Sequence, residues 1–364
     1  MNFLLSVIFF LFGVWLVGEI LLSAIRTFVL PRAARDPITL AVFTVILTVF
    51  NFSMKRMGTY KERDRVMAVY APVSLLALLV IWLTCIIFGY MCMFRALDIP
   101  GGWESAFKAS GSALFTLGFA PIDGLPMTII SFTESGIGLL LIALLIAYLP
   151  TIYSAFSRRE TAVTLLEVRA GSPPSAIEMY ARVARLERMA IMHDLFLEWE
   201  TWFADIDESH TSLASLPFFR SPQPERSWIT AAGVVLDAAA LMASTFDIPR
   251  DPQCDLTIRS GYIALRHIAD NFGISYNLDP DPDDPISITP EEYYQAYEEL
   301  QLLGIPVKAD RERAWQDFKG WRVNYDYVLI ELCDLTMAPM ATWSSDRRSR
   351  YPIEKSIEKE PKSV

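Results

Sequence analysis

The chain has 364 residues, 52 % of them hydrophobic, a formal net charge of −10 and a mean hydropathy of +0.30. The apolar runs concentrate in residues 1–157 and the charge in residues 158–364, so one part reads as a membrane domain and the other as soluble. This excludes a purely soluble enzyme and a disordered chain. Four cysteines are too few for a secreted disulfide framework, and the acidic balance argues against a nucleic-acid partner.

In chain order, the first apolar run is Phe3 to Leu22, with a single charge at Glu19. It is long enough to cross a bilayer, for which about 20 apolar residues suffice. No basic n-region precedes it, so a cleaved signal peptide is not expected. Arg26, seven residues beyond Glu19, is its expected ion-pair partner. Ile38 to Phe52 is a shorter run. Its polar residues Thr44, Thr48 and Asn51, followed by Lys55, recur at helical spacing on one face, which suits a helix lying in the membrane interface. Val66 to Phe94 is an uncharged spanning run, with Pro72 near its start. Thr133 to Phe156 is another, with Glu134 at its beginning and Pro150 near its end.

Charge placement orients these runs. Arg26, Arg32 and Arg35 precede the short run; Lys55, Arg56, Lys61, Arg63 and Arg65 follow it; Arg158 and Arg159 follow the last span. Only Arg95 and Lys108 lie between the second and third long runs. The positive-inside rule then places residues 26–65 and the region after 157 in the cytoplasm. The expected topology is an outside N-terminus, three spans and an interfacial helix at about 37–54. The rival has four spans and exports Arg32 and Arg35. No span carries arginine at every third position, so no voltage sensor is expected.

Between the second and third long runs lies GGWESAFKASGSALFTLGFAPIDGLPM, Gly101 to Met127. Trp103 to Leu114 is too short to span. It is followed at once by Thr116-Leu117-Gly118-Phe119-Ala120. A short helix ending inside a membrane directs its carbonyl dipole toward a cation. A filter backbone must turn its carbonyls inward to replace the ion's hydration shell, and glycine permits the angles this needs. Phe119 is expected to wedge against the short helix. Lys108 has Glu104 at i−4 as its expected partner.

The order of span, short helix, Thr-x-Gly-aromatic and span resembles the potassium-channel superfamily, whose filter reads Thr-Val-Gly-Tyr-Gly. That resemblance implies a homotetramer with one pore loop per chain, conducting potassium through carbonyls of Thr116 to Phe119. Two departures stand out: Ala120 replaces the second filter glycine, and the acidic residue after the filter is displaced to Asp123, which would line the outer mouth. The single-glycine loops of Trk, Ktr and HKT transporters look similar, but Trk and Ktr chains carry four pore loops and this chain carries one. Actinobacterial channel-like proteins have a similar layout over Arg26 to Arg35, the pore loop, Ser157-Arg158-Arg159-Glu160 and Arg220-Ser221-Pro222-Gln223. They suggest no ligand for the soluble half. On this reading Gly136 and Gly138 serve the last span as a hinge or as packing positions, Pro150 shapes a gate or a simple kink, and Glu134 braces the filter or sits at the water interface.

The soluble half reads as helical: Ser154 to Ala170 continuing the last span, a break at Gly171 to Ser175, then about 176–206, Trp228 to Phe246, Leu256 to Phe272, Pro290 to Leu303 and Arg311 to Met337. Ser175 and Ser227 are candidate N-caps. Phe196, Trp199 and Phe203 give one helix an aromatic face. No G-x-G-x-x-G, P-loop, Gly-x-Ser-x-Gly or Cys-x-x-Cys occurs. His193, Glu198, Glu200, Asp205, Asp207, Glu208 and His210 match no metal-ligand spacing and read as a solvated face. The Asp279–Asp284 loop lacks the glycine and distant glutamate of a calcium loop. His267, among apolar neighbours, reads as a packed core histidine.

The expectation is therefore an all-α, multi-pass protein of the cell membrane. Residues 1–65 hold the first span and interfacial helix, 66–157 a two-helix pore domain with its pore loop at 101–124, 158–345 a cytoplasmic helical domain, and 346–364 a disordered tail. No cofactor or resident metal is implied, only potassium or sodium as permeant ions. The alternative function is a non-conducting membrane-anchored scaffold or sensor acting through its soluble half.

Overall fold

The computed structural model describes residues 2–30 and 36–347; Arg32, Arg35 and residues 348–364 of the tail lie outside the described residues. Among the described residues helix is the regular structure throughout, apart from one isolated antiparallel bridge between Phe246 and Val307. The protein is all-α. Several of its helices are long and apolar enough to cross a membrane, as expected of a multi-pass membrane protein.

The chain divides into two compact units. The described residues of 1–157 with 209–219 form one, and those of 158–208 with 220–347 form the other. The return of Ser209–Phe219 to the first unit departs from a linear division at 157/158.

In the first unit, α1 (Phe3–Phe28) runs antiparallel to α4 (Tyr70–Ala96). Their approach is close because glycines face each other: a Cβ on Gly13 would lie 2.4 Å from the Gly89 carbonyl oxygen. Small residues at a helix contact let the backbones meet in this way. Farther along, the indole of Trp82 donates to Ser23 at 3.1 Å, and Ser23 donates to Asp36 at 2.6 Å. Asp36 caps α2 (Pro37–Met54) by accepting from the Thr39 amide, with proline in the favoured first position. Arg26 lies 3.9 Å from Asp36 rather than pairing with Glu19.

The hydrogen bonds and ring contacts of α2 fall where α1 finishes and α4 begins. Thr27 meets Thr39 at 2.9 Å, and the Tyr70 hydroxyl donates to the Phe43 carbonyl at 3.2 Å. Both Phe43 and Phe50 pack on the Tyr70 ring. The opposite side of α2 is exposed as two adjacent stripes: Val45, Val49 and Phe52, and beside them Thr44, Thr48, Asn51 and Lys55. A short helix, α3 (Tyr60–Met67), follows, closed by a Thr59/Glu62 capping box.

After α4 comes α5 (Gly102–Leu114), then α6 (Leu125–Ala170), an unbroken helix of 46 residues, about 69 Å long. Pro150 lies inside it. The chain returns at Ser209–Phe219, where Leu213 and Leu216 join Leu75, Tyr148, Ile152 and Ala155 in a buried cluster.

In the second unit, α9 (Trp228–Thr245) is the central helix. By length and hydropathy it would pass for a span, yet 94 % of its apolar window is buried inside the protein. Around it stand α7 (Ala176–Arg185), α8 (Ile191–Ser212, up to Glu208 in this unit), α10 (Pro252–Phe272), α11 (Pro290–Leu302), α12 (Arg311–Arg322) and α13 (Asp326–Thr336). The segments expected as single helices at 176–206 and 311–337 are each broken in two. The first break runs from Leu186 to Ala190, with Glu187 at φ 51°. The second falls at Val323 to Tyr325, where Asn324 turns its amide back to the Gly320 and Trp321 carbonyls. Ser175 and Ser227 occupy N-cap positions without making a side-chain cap bond.

Candidate functional site

The loop between α5 and α6 concentrates the unusual backbone of the first unit. Positive φ occurs at Gly101 and Gly102 where α5 starts, at Thr116 (54°) and Gly118 (68°) after it, and at Gly124 before α6. For glycine this is inexpensive. For threonine, β-branched, it costs roughly 1–3 kcal/mol and persists only where the surroundings impose it.

The surroundings are a set of serines. Ser110 donates to Glu134 Oε1 at 2.5 Å and lies 3.2 Å from the Ile87 carbonyl, tying α5 to both α6 and α4. Ser135 donates to the Ala113 carbonyl at 2.7 Å. Gly138 lets α6 touch the end of α5, since a Cβ there would stand 2.4 Å from the Leu114 oxygen. Ser112, in the last turn of α5, accepts from the Phe119 amide at 3.0 Å and the Ala120 amide at 3.2 Å. The Leu117 amide bonds the Ser112 carbonyl at 2.8 Å.

These contacts fix where α5 goes. It starts beside Phe9 and Arg95, at one end of the helix bundle, where Trp103 meets both. It ends against Gly138, thirteen residues into α6, and its Ser110 reaches Ile87, nine residues before the end of α4. The chain therefore dips about 14–20 Å into the bundle and returns to the end it entered from.

They also fix where the carbonyls go. In a planar trans peptide the N–H and C=O point opposite ways. The amides of Leu117, Phe119 and Ala120 all turn back to Ser112, so the carbonyls of Thr116, Gly118 and Phe119 all face away from α5. The residues from Phe115 to Phe119 are exposed on the single chain. Their backbone presents a row of oxygen acceptors, the chemistry that replaces the water of a monovalent cation.

The expected residues fare differently. Thr116, Leu117, Gly118, Phe119 and Ala120 form one continuous loop, and Asp123 is exposed beside it. The Phe119 ring is 61 % exposed, so in the single chain it does not wedge against α5. Glu134 is fully buried behind α5, and its Oε2 has no hydrogen-bond partner among the described residues. Lys108 pairs with Glu104 at 2.6 Å on an exposed face. Gly138 is a packing position, whereas Gly136 faces open space. Pro150 is exposed and α6 stays helical through it. Ser112 was not singled out from sequence: its partners lie seven and eight residues on, at no helical or turn spacing.

The second unit offers paired charges. Among the described residues no three His, Cys, Asp or Glu side chains are grouped to hold a metal. Asp205 binds Arg158, Glu198 binds Arg169, and His193 binds Asp251. His267 is exposed and pairs with Asp207 at 2.9 Å, not packed in the core. The buried charges surround Arg322, which binds Asp237 on α9, Asp326 at 2.7 Å and the Trp343 carbonyl at 2.5 Å. Tyr325 donates to Asp237 at 2.9 Å, and Asp326 accepts from Ser287 twice at 2.7 Å. Burial raises the Asp237 carboxyl against the pull of Arg322. Burial alone lowers the Arg322 guanidinium, but Asp237 and Asp326 more than offset it and hold it above its ordinary value. All four cysteines are free, and burial pushes the Cys254 thiol up to about 12. A cleft of about 560 Å³ is lined by Arg250, Asp255, Lys308, Asp317 and Trp321. Its charges are paired, Arg250 with Asp255, Lys308 with Asp317 and Asp251 with His193.

No family model matches the chain, and no curated protein sequence or solved structure is significantly similar to it.

Proposed function

We propose that this chain is one subunit of a homotetrameric cation channel of the cell membrane. Potassium is the permeant ion, and Thr116 to Ala120 form the filter. The observation that carries the reading is that the Leu117, Phe119 and Ala120 amides all bond back to Ser112, which turns the Thr116, Gly118 and Phe119 carbonyls away from α5. One chain supplies one such row, and an ion needs oxygens on all sides, so several copies must meet around an axis. Four is the number implied by the resemblance to potassium-channel pore loops. Irregular backbone at membrane depth is tolerated where it lines water. If α4 and α6 cross a hydrocarbon core of about 30 Å, the end of α5 comes near its middle.

The topology that fits is three spans, α1, α4 and α6, with the N-terminus outside. α2 lies in the interface, supported by its contacts at one end of the bundle and its paired apolar and polar exposed stripes. The basic residues from Lys55 to Arg65 then face the cytoplasm, as does the second unit, which assembles or gates the pore. Asp123 lies at the outer mouth.

The test is the native mass of the detergent-solubilised chain. Four copies of the 41.1 kDa chain are expected. A monomer or dimer leaves the carbonyl row open and moves the reading to a non-conducting scaffold acting through its second unit.

A further inference from the structure

We propose that Ser112 is a positioning residue that sets the ion selectivity of this filter, holding its outer half where a second glycine is missing. The inference rests on the channel reading above and extends it to the residue that orients the carbonyls. Ser112 is 3 % exposed. A hydroxyl has two acceptor lone pairs and one hydrogen; the Phe119 and Ala120 amides, at 3.0 and 3.2 Å, occupy both lone pairs.

The inner half of the loop is oriented by its own backbone. Thr116 and Gly118 have positive φ, and such a residue between ordinary ones turns successive carbonyls to the same side. Beyond Gly118 this device stops: among the described residues positive φ does not recur until Gly124. Ala120 therefore keeps an ordinary backbone, as alanine prefers. Nothing in the local handedness of the chain then dictates where the Phe119 carbonyl points. The Ala120 amide, held by Ser112, dictates it, because the two groups share one rigid peptide plane. One side chain thus fixes two consecutive carbonyls, those of Gly118 and Phe119.

Discrimination between potassium and sodium depends on the number and orientation of such oxygens. Removing the hydroxyl leaves two amides beside a buried site with no acceptor, and those amides turn to find another. The carbonyls rotate with them. Conduction need not vanish, since the Thr116 carbonyl is held through the Leu117 amide by the Ser112 backbone oxygen, which the substitution leaves in place.

The experiment compares the full-length chain with Ser112→Ala, Ser112→Thr and Ser112→Cys. Two readouts are taken: the potassium-to-sodium permeability ratio in planar bilayers, and the shift in unfolding temperature on exchanging sodium chloride for potassium chloride in detergent. The expected result is a ratio several-fold closer to one in Ser112→Ala, with loss of the potassium-specific thermal shift, and recovery of both in Ser112→Thr. Ser112→Cys, with a weak acceptor of similar size, falls between them. If the parent chain is selective and Ser112→Ala keeps its ratio and its thermal shift, the proposal is overturned. If Ser112→Ala does not assemble, Ser112→Cys decides in the same way, and parent-like behaviour there overturns it. A parent chain that neither conducts nor responds to potassium overturns the channel reading itself, and this proposal with it.

Discussion

The carboxyl of Glu134 on α6 and the hydroxyl of Ser110 on α5 meet at 2.5 Å, with the Ile87 carbonyl of α4 on the other side of that hydroxyl. Three helices are joined at one buried point behind the loop. Glu134→Gln keeps an acceptor for Ser110, and Glu134→Ala removes it. The alanine variant should lose about 1–3 kcal/mol of stability, the range for stranding a buried hydroxyl, while the glutamine variant stays closer to the parent. Thermal unfolding in detergent measures both. Equal losses would mean that the contact itself contributes nothing.

The two glycines early in α6 should respond differently to alanine. At Gly138 a methyl group would meet the Leu114 carbonyl at 2.4 Å, a backbone atom that cannot move without moving the end of α5. At Gly136 nothing lies within 4 Å. Gly138→Ala is expected to cost about 1–3 kcal/mol, as overpacking generally does. Gly136→Ala should be neutral or slightly stabilising through helix propensity. If the order is reversed, Gly136 is a contact between copies and not a free surface.

In the second unit, Arg322 is enclosed by Asp237 and Asp326. Replacing it with leucine strands two buried carboxyl groups, and breaking such a network costs about 3–5 kcal/mol. Asp237→Asn/Arg322→Leu should recover part of that loss, because it removes opposite charges together. Chemical unfolding of the full chain checks the cycle; purely additive losses would contradict the coupling.

Arg347 holds both oxygens of Glu292, at 2.9 and 2.7 Å, and is 13 % exposed. The tail expected to be disordered from 346 thus begins with a packed residue. The Arg347 hydrogen bonds lower the Glu292 carboxyl pKa, against the effect of its partial burial. A depressed carboxylate contributes stability above its unfolded pKa of about 4.3, and that contribution is lost as pH falls through the lower folded value. Glu292 also completes the Thr289 capping box of α11. Hydrogen exchange in the first turn of α11 should therefore accelerate as pH falls below about 4, once corrected for intrinsic rates. Glu292→Gln should flatten that dependence.

Much of the architecture was legible because it follows from hydropathy and caps. The apolar runs at 3–22 and 133–156 lie in helices, the run at 66–94 does so apart from a turn at Ala68 and Val69, and the short segment at 103–114 matches α5 within a residue. Hydropathy alone does not separate α9 from a span; only the helices packed around it do. The break after Arg185 was not legible because Leu186 to Ala190 contains neither glycine nor proline. His267 reads as a core residue because its immediate neighbours are apolar, while its own face of α10 is exposed. Ser112 and the return of Ser209–Phe219 are tertiary relationships with no local spacing to announce them.

Cation flux into liposomes holding the purified chain, under potassium and then sodium gradients and beside Gly118→Ala, tests the pore most directly. Gly118 has φ 68° with open space around it, so alanine there disturbs backbone direction without a clash. Potassium flux in the parent and its loss in the variant, with the tetramer intact, are the expected results. Equal flux from parent and variant, or none from a tetrameric parent under either gradient across a range of pH and membrane voltage, would contradict the channel reading.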